Sequence, residues 1–236
     1  MPEKKTRRER MTEAIYQEIK VTAFEVMREK GTNGLSVREI ARRIEMSASA
    51  FYHYFSSLDD LITALIVDSF KDVAEAVAVA KRGAVATNKS YAEQLYTIAH
   101  AFRRWGLDHT VKFQLIYGTP ISGYAAPPEV TIPYVQQIGV PILETLVEGI
   151  KRGEITPTTE INNIPNKTYE HYRSRTHPTD EPNILAHHIL NVIWQSVFGL
   201  VMLEVNNHLQ PGVGDTETFF DYHVRLQLKL IGIKMS

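Results

Sequence analysis

The sequence predicts an all-α fold, and three observations support this prediction. Ser36 with Glu39 and Ser90 with Glu93 have the S-x-x-E spacing of a capping box, which marks the start of a helix. Apolar residues recur at i, i+3, i+4 and i+7 in several segments, as they do on the buried face of a helix. Gly31 follows the first of these segments, at a position where glycine commonly ends a helix.

Length, charge and cysteine content limit what the chain can be. With 236 residues it is long enough for a substantial core in one or two domains. The chain has no cysteine, which excludes disulfides and leaves only His and carboxylates as zinc ligands. The net charge is −1, yet residues 1–56 hold 11 Lys and Arg against 8 Asp and Glu, while the remainder holds 15 against 19. This asymmetry has the sign expected if only the N-terminal part touches phosphate.

Two segments bear on the compartment. The basic N-terminus has no apolar h-region, so we expect no secretory signal and a cytoplasmic protein. The apolar run 184–205 is the segment most like a membrane span, but it includes His188 and Gln195, which are costly in hydrocarbon. We therefore predict a buried helix there and no membrane partner.

The first helix is predicted over residues 11–30. Before it, residues 1–10 are polar, and we expect them to be mobile. Their clustered basic side chains fit either an arm that contacts phosphates or an ordinary solvated tail. They are Lys4, Lys5, Arg7, Arg8 and Arg10.

The stretch 35–61 predicts a helix-turn-helix at about 36–55. In its first helix an apolar stripe (Val37, Ile40, Ala41 and Ile44) must be buried, and the arginines Arg38, Arg42 and Arg43 point elsewhere. Ser47 offers a second N-cap to a helix that starts with small residues and reaches Phe55. Phe51 and Phe55 would anchor this helix, while Tyr52 and His53 would face outward to phosphate oxygens or base edges.

The rest of the chain is predicted to be helical with two loops. We expect loops at 121–133 and 153–182, the second containing four prolines, and a kink or break at Pro141. The predicted helices span about 59–82, 90–105, 110–117, 133–152, 183–208 and 215–235.

The last two predicted helices are apolar on more than one side, and such a helix must be covered all round. Burial within one protomer would satisfy this. A second copy is the simpler cover, through a four-helix interface formed by 183–208 and 215–235. A homodimer would also place two reading helices about one DNA turn apart, the spacing that a pseudo-palindrome requires.

Residues from about 11 to 65 resemble the DNA-binding domain of TetR-family transcriptional regulators. The resemblance lies in Gly34-Leu35-Ser36, Arg38-Glu39-Ile40-Ala41, Tyr52-His53-Tyr54-Phe55 and Asp60-Leu61. Glu45 departs from the family's usual turn glycine, and Leu58 replaces a frequent phosphate-binding Lys. The resemblance implies a domain at 1–60 that binds DNA through Ser36, Arg38, Ser47, Ala48, Ser49, Tyr52 and His53.

The second half is similar to a TetR C-terminal type marked by Trp, His and Gly. Trp194 and Gly199 keep the spacing, Phe198 stands in place of the His, and residues 103–119 also resemble that type. This implies a helical ligand-binding and dimerisation domain at 61–236. Candidate pocket walls, which would equally suit a plain core, are Phe102, Trp105, Phe113, Tyr117, Tyr134, Trp194, Phe198 and Met202.

The histidines do not predict a metal site. His187 and His188 are adjacent, so they lack the i, i+4 spacing of paired ligands, and His171 and His177 flank a polar loop. We expect all four to be structural or solvated. We therefore predict no metal and no cofactor.

The predicted function is a homodimeric transcriptional regulator, a repressor that an unknown small-molecule effector releases from a double-stranded DNA operator. An enzyme is the main alternative, but the sequence contains no P-loop, G-x-G-x-x-G, G-x-S-x-G or H-E-x-x-H motif. A helical adaptor or small-molecule-binding protein remains open as well. The basic Arg38 and Arg42 beside Tyr52 and His53 favour the DNA reader over a protein-binding face.

Overall fold

The computed structural model describes residues 6–175 and 180–233. Within these ranges there are helices, turns and bends but no strand, which confirms the all-α prediction. A 3-10 turn (Thr32–Gly34) lies between the first two helices. The α-helices are α1 (Arg7–Lys30), α2 (Val37–Arg43), α3 (Ala48–Phe51), α4 (Leu58–Ala86), α5 (Tyr91–Asp108), α6 (Thr110–Tyr117), α7 (Pro128–Lys151), α8 (Thr159–Asn162), α9 (Asn166–Arg175), α10 (Glu181–Val205), α11 (Gln210–Val213) and α12 (Thr216–Leu230).

The chain divides into two compact units by packing. The first unit comprises the chain up to Phe70 together with His109–Pro133, and the second comprises Lys71–Asp108 and the chain from Tyr134 onward. Helices α4 and α7 each contribute residues to both units. The predicted functional boundary after residue 60 is a different division and stays a prediction.

Helix α1 begins earlier than predicted. The Thr6 hydroxyl accepts a hydrogen bond from the Glu9 N–H, and the Glu9 carboxylate accepts one from the Thr6 N–H at 2.7 Å. This capping box starts the helix at Arg7. The expectation of a mobile tail was therefore wrong for residues 7–10, while residues 1–5 lie outside the described ranges.

The core of the first unit lies between α1, the helix-turn-helix and the start of α4. Ile19, Ala23 and Val26 of α1 are fully buried, as are Leu61 and Leu65 of α4. Helix α6 packs on α1, and the Lys112 ammonium stands over the Phe24 ring at 5.7 Å from its centroid. The Lys20 ammonium pairs with Asp68 at 2.6 Å, which joins α1 to α4.

Helix α7 was predicted to begin at Pro133 and to kink or divide at Pro141. Instead it begins at Pro128, where the missing N–H costs no helical hydrogen bond, and the Pro127 carbonyl accepts from the Val130 and Thr131 N–H groups, both at 3.1 Å. It continues through both prolines without a break. Burial of Ile138, Ile142 and Leu146 on its inner side compensates for the hydrogen bonds that the prolines remove.

The segment 153–182 is not one long loop, so this prediction was also wrong. It contains α8, whose Ile161 is buried, and the ten-residue helix α9. The Pro165 carbonyl accepts hydrogen bonds from the Thr168 and Tyr169 N–H groups and so starts α9. His177 lies outside the described residues.

The second unit is built around α5, α10 and α12, which pack on one another. Phe102, Val201, Phe220 and Val224 are buried between them. By length and composition alone, helix α10 could cross a membrane. Of its most apolar 18 residues, 28% are buried within the protomer. The expected burial of this helix is therefore incomplete in a single copy of the chain.

The end of α12 closes on the segment after α7. Gly232 has φ +80°, and a Cβ atom at this position would lie 1.7 Å from the Thr156 carbonyl oxygen. No side chain can occupy that space. Contact between residue 232 and residues 156–157 therefore requires glycine.

Candidate nucleic-acid interface and ligand cavity

The turn between α2 and α3 is fixed by two caps and one residue with positive φ. The Ser36 and Ser47 hydroxyls accept hydrogen bonds from the Glu39 and Ala50 N–H groups at 3.3 and 3.1 Å. Glu45 adopts φ +53°, the left-handed conformation that glycine would adopt more easily. The Met46 N–H then bonds the Ala41 carbonyl at 2.9 Å. The tight turn therefore forms without glycine.

Two phenylalanines anchor α3, as predicted. Phe51 is fully buried and Phe55 is 4% exposed. Tyr16 of α1 stacks on Phe55 with ring centroids 4.5 Å apart. Helix α3 ends at Phe51, but the Phe55 N–H still bonds the Phe51 carbonyl, so one further turn follows.

The opposite side of this helix and turn faces solvent. Tyr52 is 53% exposed, and Ser47, Ala48, Ser49 and His53 are also exposed. The predicted outward orientation of Tyr52 and His53 is therefore confirmed. Their role in binding DNA stays a prediction.

The three arginines of α2 differ in their ion pairs and in their exposure. Arg43 bonds both Glu29 and Glu39, at 2.9 and 3.0 Å, and its side chain is largely buried. Arg42 is exposed but also bonds Glu39, at 3.1 Å. Within the described ranges Arg38 makes no ion pair, and it is exposed. It is therefore the α2 arginine that is available to an external anion.

Glu39 was expected to complete a capping box with Ser36. Its carboxylate instead accepts from Arg42, Lys30 and Arg43, which hold the pKa of the Glu39 carboxyl well below its usual range. Hydrogen bonds to Glu29 and Glu39 raise the pKa of Arg43. Only the Ser36 half of the capping box is used, because three nearby cations compete for the carboxylate.

A shallow groove beside the helix-turn-helix is partly basic. Arg7 and Arg8 of α1 line it with Met11, Ile15 and Tyr54. The sequence placed these arginines in a tail, because the capping box of Thr6 and Glu9 was missed. That S/T-x-x-E spacing was the signal that would have placed them on a helix.

Two family models match the chain. The model of bacterial regulatory proteins of the tetR family matches residues 19–65. The model of the tetracyclin repressor-like C-terminal domain matches residues 95–226, more than half of the chain. The chain belongs to the TetR family. The predicted resemblance and the DNA-binding, transcription-regulating class are thereby confirmed.

Individual TetR-family relatives agree with this assignment. An HTH-type transcriptional regulator of Mycobacterium tuberculosis and one of Mycobacterium bovis are each 31% identical over 203 residues, 85% of this chain and 85% of theirs. The crystal structure of regulatory protein SCO4313 is 29% identical, with TM-score 0.74, over 95% of this chain and 100% of that one. FadR from Bacillus subtilis, solved with stearoyl-CoA, shares the fold at 15% identity and TM-score 0.61, over 92% and 99% of the two chains.

The second unit of this TetR-family chain contains an apolar cavity of about 40 Å³. Its walls come from α4, α5, α7, α10 and α12, and Gln227 is the polar residue among them. The lining residues are Val77, Leu95, Ile98, Ala99, Phe102, Ile142, Leu190, Ile193, Trp194, Val197, Val224, Gln227 and Leu228.

Two of the eight predicted wall residues, Phe102 and Trp194, line this cavity, with ring centroids 4.8 Å apart. Phe198 stacks behind Trp194 at 5.9 Å. The other five lie outside its lining: Phe113 and Tyr117 pack together in the first unit, Trp105 is buried, Lys71 stands over Tyr134, and Met202 contacts Asn206. The aliphatic walls and Gln227 were missed, because a single sequence does not show which helix faces meet.

The described histidines of the second half contact other side chains and backbone groups. Among the described residues no cluster of three His, Asp or Glu could hold a metal ion. The His187 ring contacts the Asn183 carbonyl at 2.9 Å. His188 lies near Tyr172, with ring centroids 6.0 Å apart, and burial lowers its pKa.

Proposed function

We propose that this TetR-family regulator is a homodimeric, cytoplasmic repressor that a small-molecule effector releases from a pseudo-palindromic operator. The observation that carries the DNA-binding part is the two-sided α3 region. Phe51 is buried and Phe55 stacks on Tyr16 of α1, while Arg38, Tyr52 and His53 remain exposed. Arg38 would read a base edge, and Tyr52 and His53 would hold the phosphate backbone.

Exposed apolar side chains support the dimer. Tyr222, Leu226 and Leu230 lie at i, i+4 and i+8 on α12 and are 61%, 45% and 42% exposed. Leu203 of α10 is 44% exposed. Together with the low burial of α10, this is the surface that a second copy would cover in a four-helix interface.

The cavity supports the effector part of the proposal. A ligand releases the operator only if it prefers the conformation that does not bind DNA, and the shift is limited by its difference in affinity for the two states. Helix α4 begins directly after the helix-turn-helix, and its Val77 lines the cavity. An effector there would contact α4, the helix that directly follows the helix-turn-helix.

Operator binding by two variants tests the DNA-binding proposal. We expect Arg38→Ala to weaken binding to an operator found in the DNA flanking the chain's own gene by about tenfold, and to lose discrimination against a scrambled duplex. Tyr52→Phe should weaken binding to both duplexes alike, because it removes a phosphate contact. Fluorescence anisotropy at fixed salt concentration measures both effects.

The matched control is Arg104→Ala, which removes an exposed arginine of α5, outside the helix-turn-helix. Its affinity should equal that of the wild type. If Arg38→Ala and Tyr52→Phe are folded and bind as the wild type does, the proposed docking surface is wrong. Effector release would be wrong if operator affinity were the same with saturating effector as without it.

A further inference from the structure

We propose that the effector of this regulator is an uncharged, mainly apolar molecule that carries at most one hydrogen-bonding group, and that Gln227 binds this group. The inference rests on the proposed function and adds the chemical class of the ligand to it. It is based on the lining of the cavity in the second unit. Twelve of the thirteen lining residues are aliphatic or aromatic, and the remaining one is Gln227.

The absence of charge from the lining selects against ionised ligands. None of the thirteen lining residues is Asp, Glu, Lys, Arg or His. Three charged residues directly follow lining residues in the sequence. Arg103 is paired with Glu204 through two hydrogen bonds of 2.8 and 2.6 Å, Arg225 is paired with Asp221 at 2.9 Å, and Lys229 is exposed. A carboxylate or ammonium group in the cavity would lose its hydration without gaining a counter-charge, which is strongly unfavourable.

Gln227 provides the polar contact. Its Nε2 lies 3.4 Å from Nε2 of His223, and burial lowers the pKa of His223, which favours the neutral ring as the acceptor. Within the described ranges no hydrogen bond reaches the Gln227 side-chain oxygen. That oxygen can therefore accept a hydrogen bond from a ligand hydroxyl or N–H group, and it is the single such acceptor in the lining.

The size of the cavity limits the ligand or requires the walls to move. A volume of about 40 Å³ exceeds what one water needs, but typical ligand pockets measure about 300–1,000 Å³. The Phe102 and Trp194 rings, 4.8 Å apart at their centroids, would have to separate for a larger molecule. Compact probes with one ring therefore provide the most direct test.

The test uses the full-length protein without DNA, so that it is independent of operator release. Isothermal titration calorimetry at pH 7.5 measures the binding of toluene, benzyl alcohol, benzoate and benzylammonium, which are all one-ring compounds. We expect toluene and benzyl alcohol to bind with dissociation constants at least about tenfold lower than those of the two ions, since a tenfold change corresponds to about 1.4 kcal/mol. Equal or tighter binding of either ion overturns the proposal, as does a failure of all four compounds to bind.

Variants locate the site. Ala99→Leu fills the cavity and should weaken toluene binding by about tenfold, while Ala101→Leu, on the same helix but outside the lining, should leave it unchanged. Gln227→Leu should weaken the binding of benzyl alcohol severalfold and leave the binding of toluene unchanged, because only the alcohol donates a hydrogen bond to the amide oxygen. If Ala99→Leu does not fold, Ala99→Val serves the same purpose. Unchanged toluene binding in the folded Ala99 variant shows that toluene binds elsewhere and overturns the assignment.

The outcomes separate this inference from the proposed function. If the neutral probes bind in the cavity but operator affinity does not change, the ligand class stands and effector release is wrong. If a charged compound releases the operator while Ala99→Leu leaves that release intact, regulation stands and the ligand class is wrong.

Discussion

Glu45 is the residue whose backbone conformation is least expected. Its φ of +53° lies in the left-handed region, which costs residues other than glycine roughly 1–2 kcal/mol. We predict that Glu45→Gly raises the free energy of unfolding by about 0.5–1 kcal/mol, because glycine adopts this conformation without strain but loses more entropy on folding. Urea unfolding followed by circular dichroism measures the change.

Glu25→Gly is the control for this prediction. Glu25 is an exposed residue inside α1, where glycine is about 1 kcal/mol less favourable than a good helix former. This variant should therefore be less stable than the wild type. A loss of stability in both variants would mean that the Glu45 side chain stabilises the fold by more than its left-handed backbone conformation destabilises it.

His188 makes stability depend on pH. Burial lowers its pKa below the ordinary value of 6.5, so the folded state binds fewer protons than the unfolded state. Stability is then fully present above pH 6.5 and is lost as the pH falls below it. We predict that His188→Gln reduces the loss of stability between pH 7.5 and 5.5 in urea titrations.

Asn191→Gln, which replaces an exposed residue of the same helix that does not titrate, is the control and should keep the wild-type pH dependence. His100 and His223 also have pKa values lowered by burial, so His188→Gln should remove only part of the dependence. If His188→Gln has the same pH dependence as the wild type, the buried imidazole is not one of its causes.

At the residue scale, contacts close in sequence could be predicted and distant ones could not. The Ser36 and Ser47 caps and the Phe51 and Phe55 anchors follow from spacing within one or two turns of helix. The capture of Glu39 by Lys30 depends on where α1 ends relative to α2. A single sequence gives no information about that distance.

At the scale of elements, Arg103 joins α5 to α10. Its side chain is 13% exposed and that of its partner Glu204 is 8% exposed. We predict that Arg103→Met lowers the free energy of unfolding by about 3 kcal/mol, because it leaves a buried carboxylate without its counter-charge. The double variant Arg103→Met with Glu204→Leu should recover most of this loss, as urea unfolding can determine.

The exposed pair of Arg82 and Glu75 is the matched control, since both side chains are more than 60% exposed. Arg82→Met should cost less than about 1 kcal/mol. Equal losses for Arg82→Met and Arg103→Met would show that burial of Glu204 has no special effect.

The helix bounds were predictable where the starting signal was recognised. Ser90 with Glu93 gave the start of α5, and the same pattern at Thr6 and Glu9 would have given the start of α1. For α7 the sequence predicted a start at Pro133 and a kink or break at Pro141, whereas the helix starts at Pro128 and tertiary packing carries it past Pro141. Here packing outweighs local propensity, which is why the sequence pattern misled.

At the scale of the whole molecule, the proposed dimer is the feature with the largest consequence. We predict that Leu226→Glu combined with Leu203→Glu gives a monomer in light scattering, because each places a charge at an interface that would exclude water. The variant should also bind the operator far more weakly, since it presents one reading helix in place of two.

Val79→Glu is the control, because Val79 is an exposed apolar residue of α4. It should remain a dimer. A wild-type protein that is monomeric at micromolar concentration would contradict the proposal directly.

The fold class and the family were predictable from the sequence, whereas the cavity was not. Helical periodicity and the motif from Arg38 to Phe55 are local patterns, which can be recognised in the sequence without knowing how the helices pack. The cavity depends on how the faces of five helices meet, and only Phe102 and Trp194 of its lining were anticipated.

The closure at Gly232 restricts how this part of the molecule can change over evolutionary time. Any heavier residue would overlap the Thr156 carbonyl, so the end of α12 and residues 156–157 can diverge only together. A larger residue at 232 would fit only after a change in residues 156–157 had moved the Thr156 carbonyl away. The glycine thus makes two distant stretches of the gene dependent on each other.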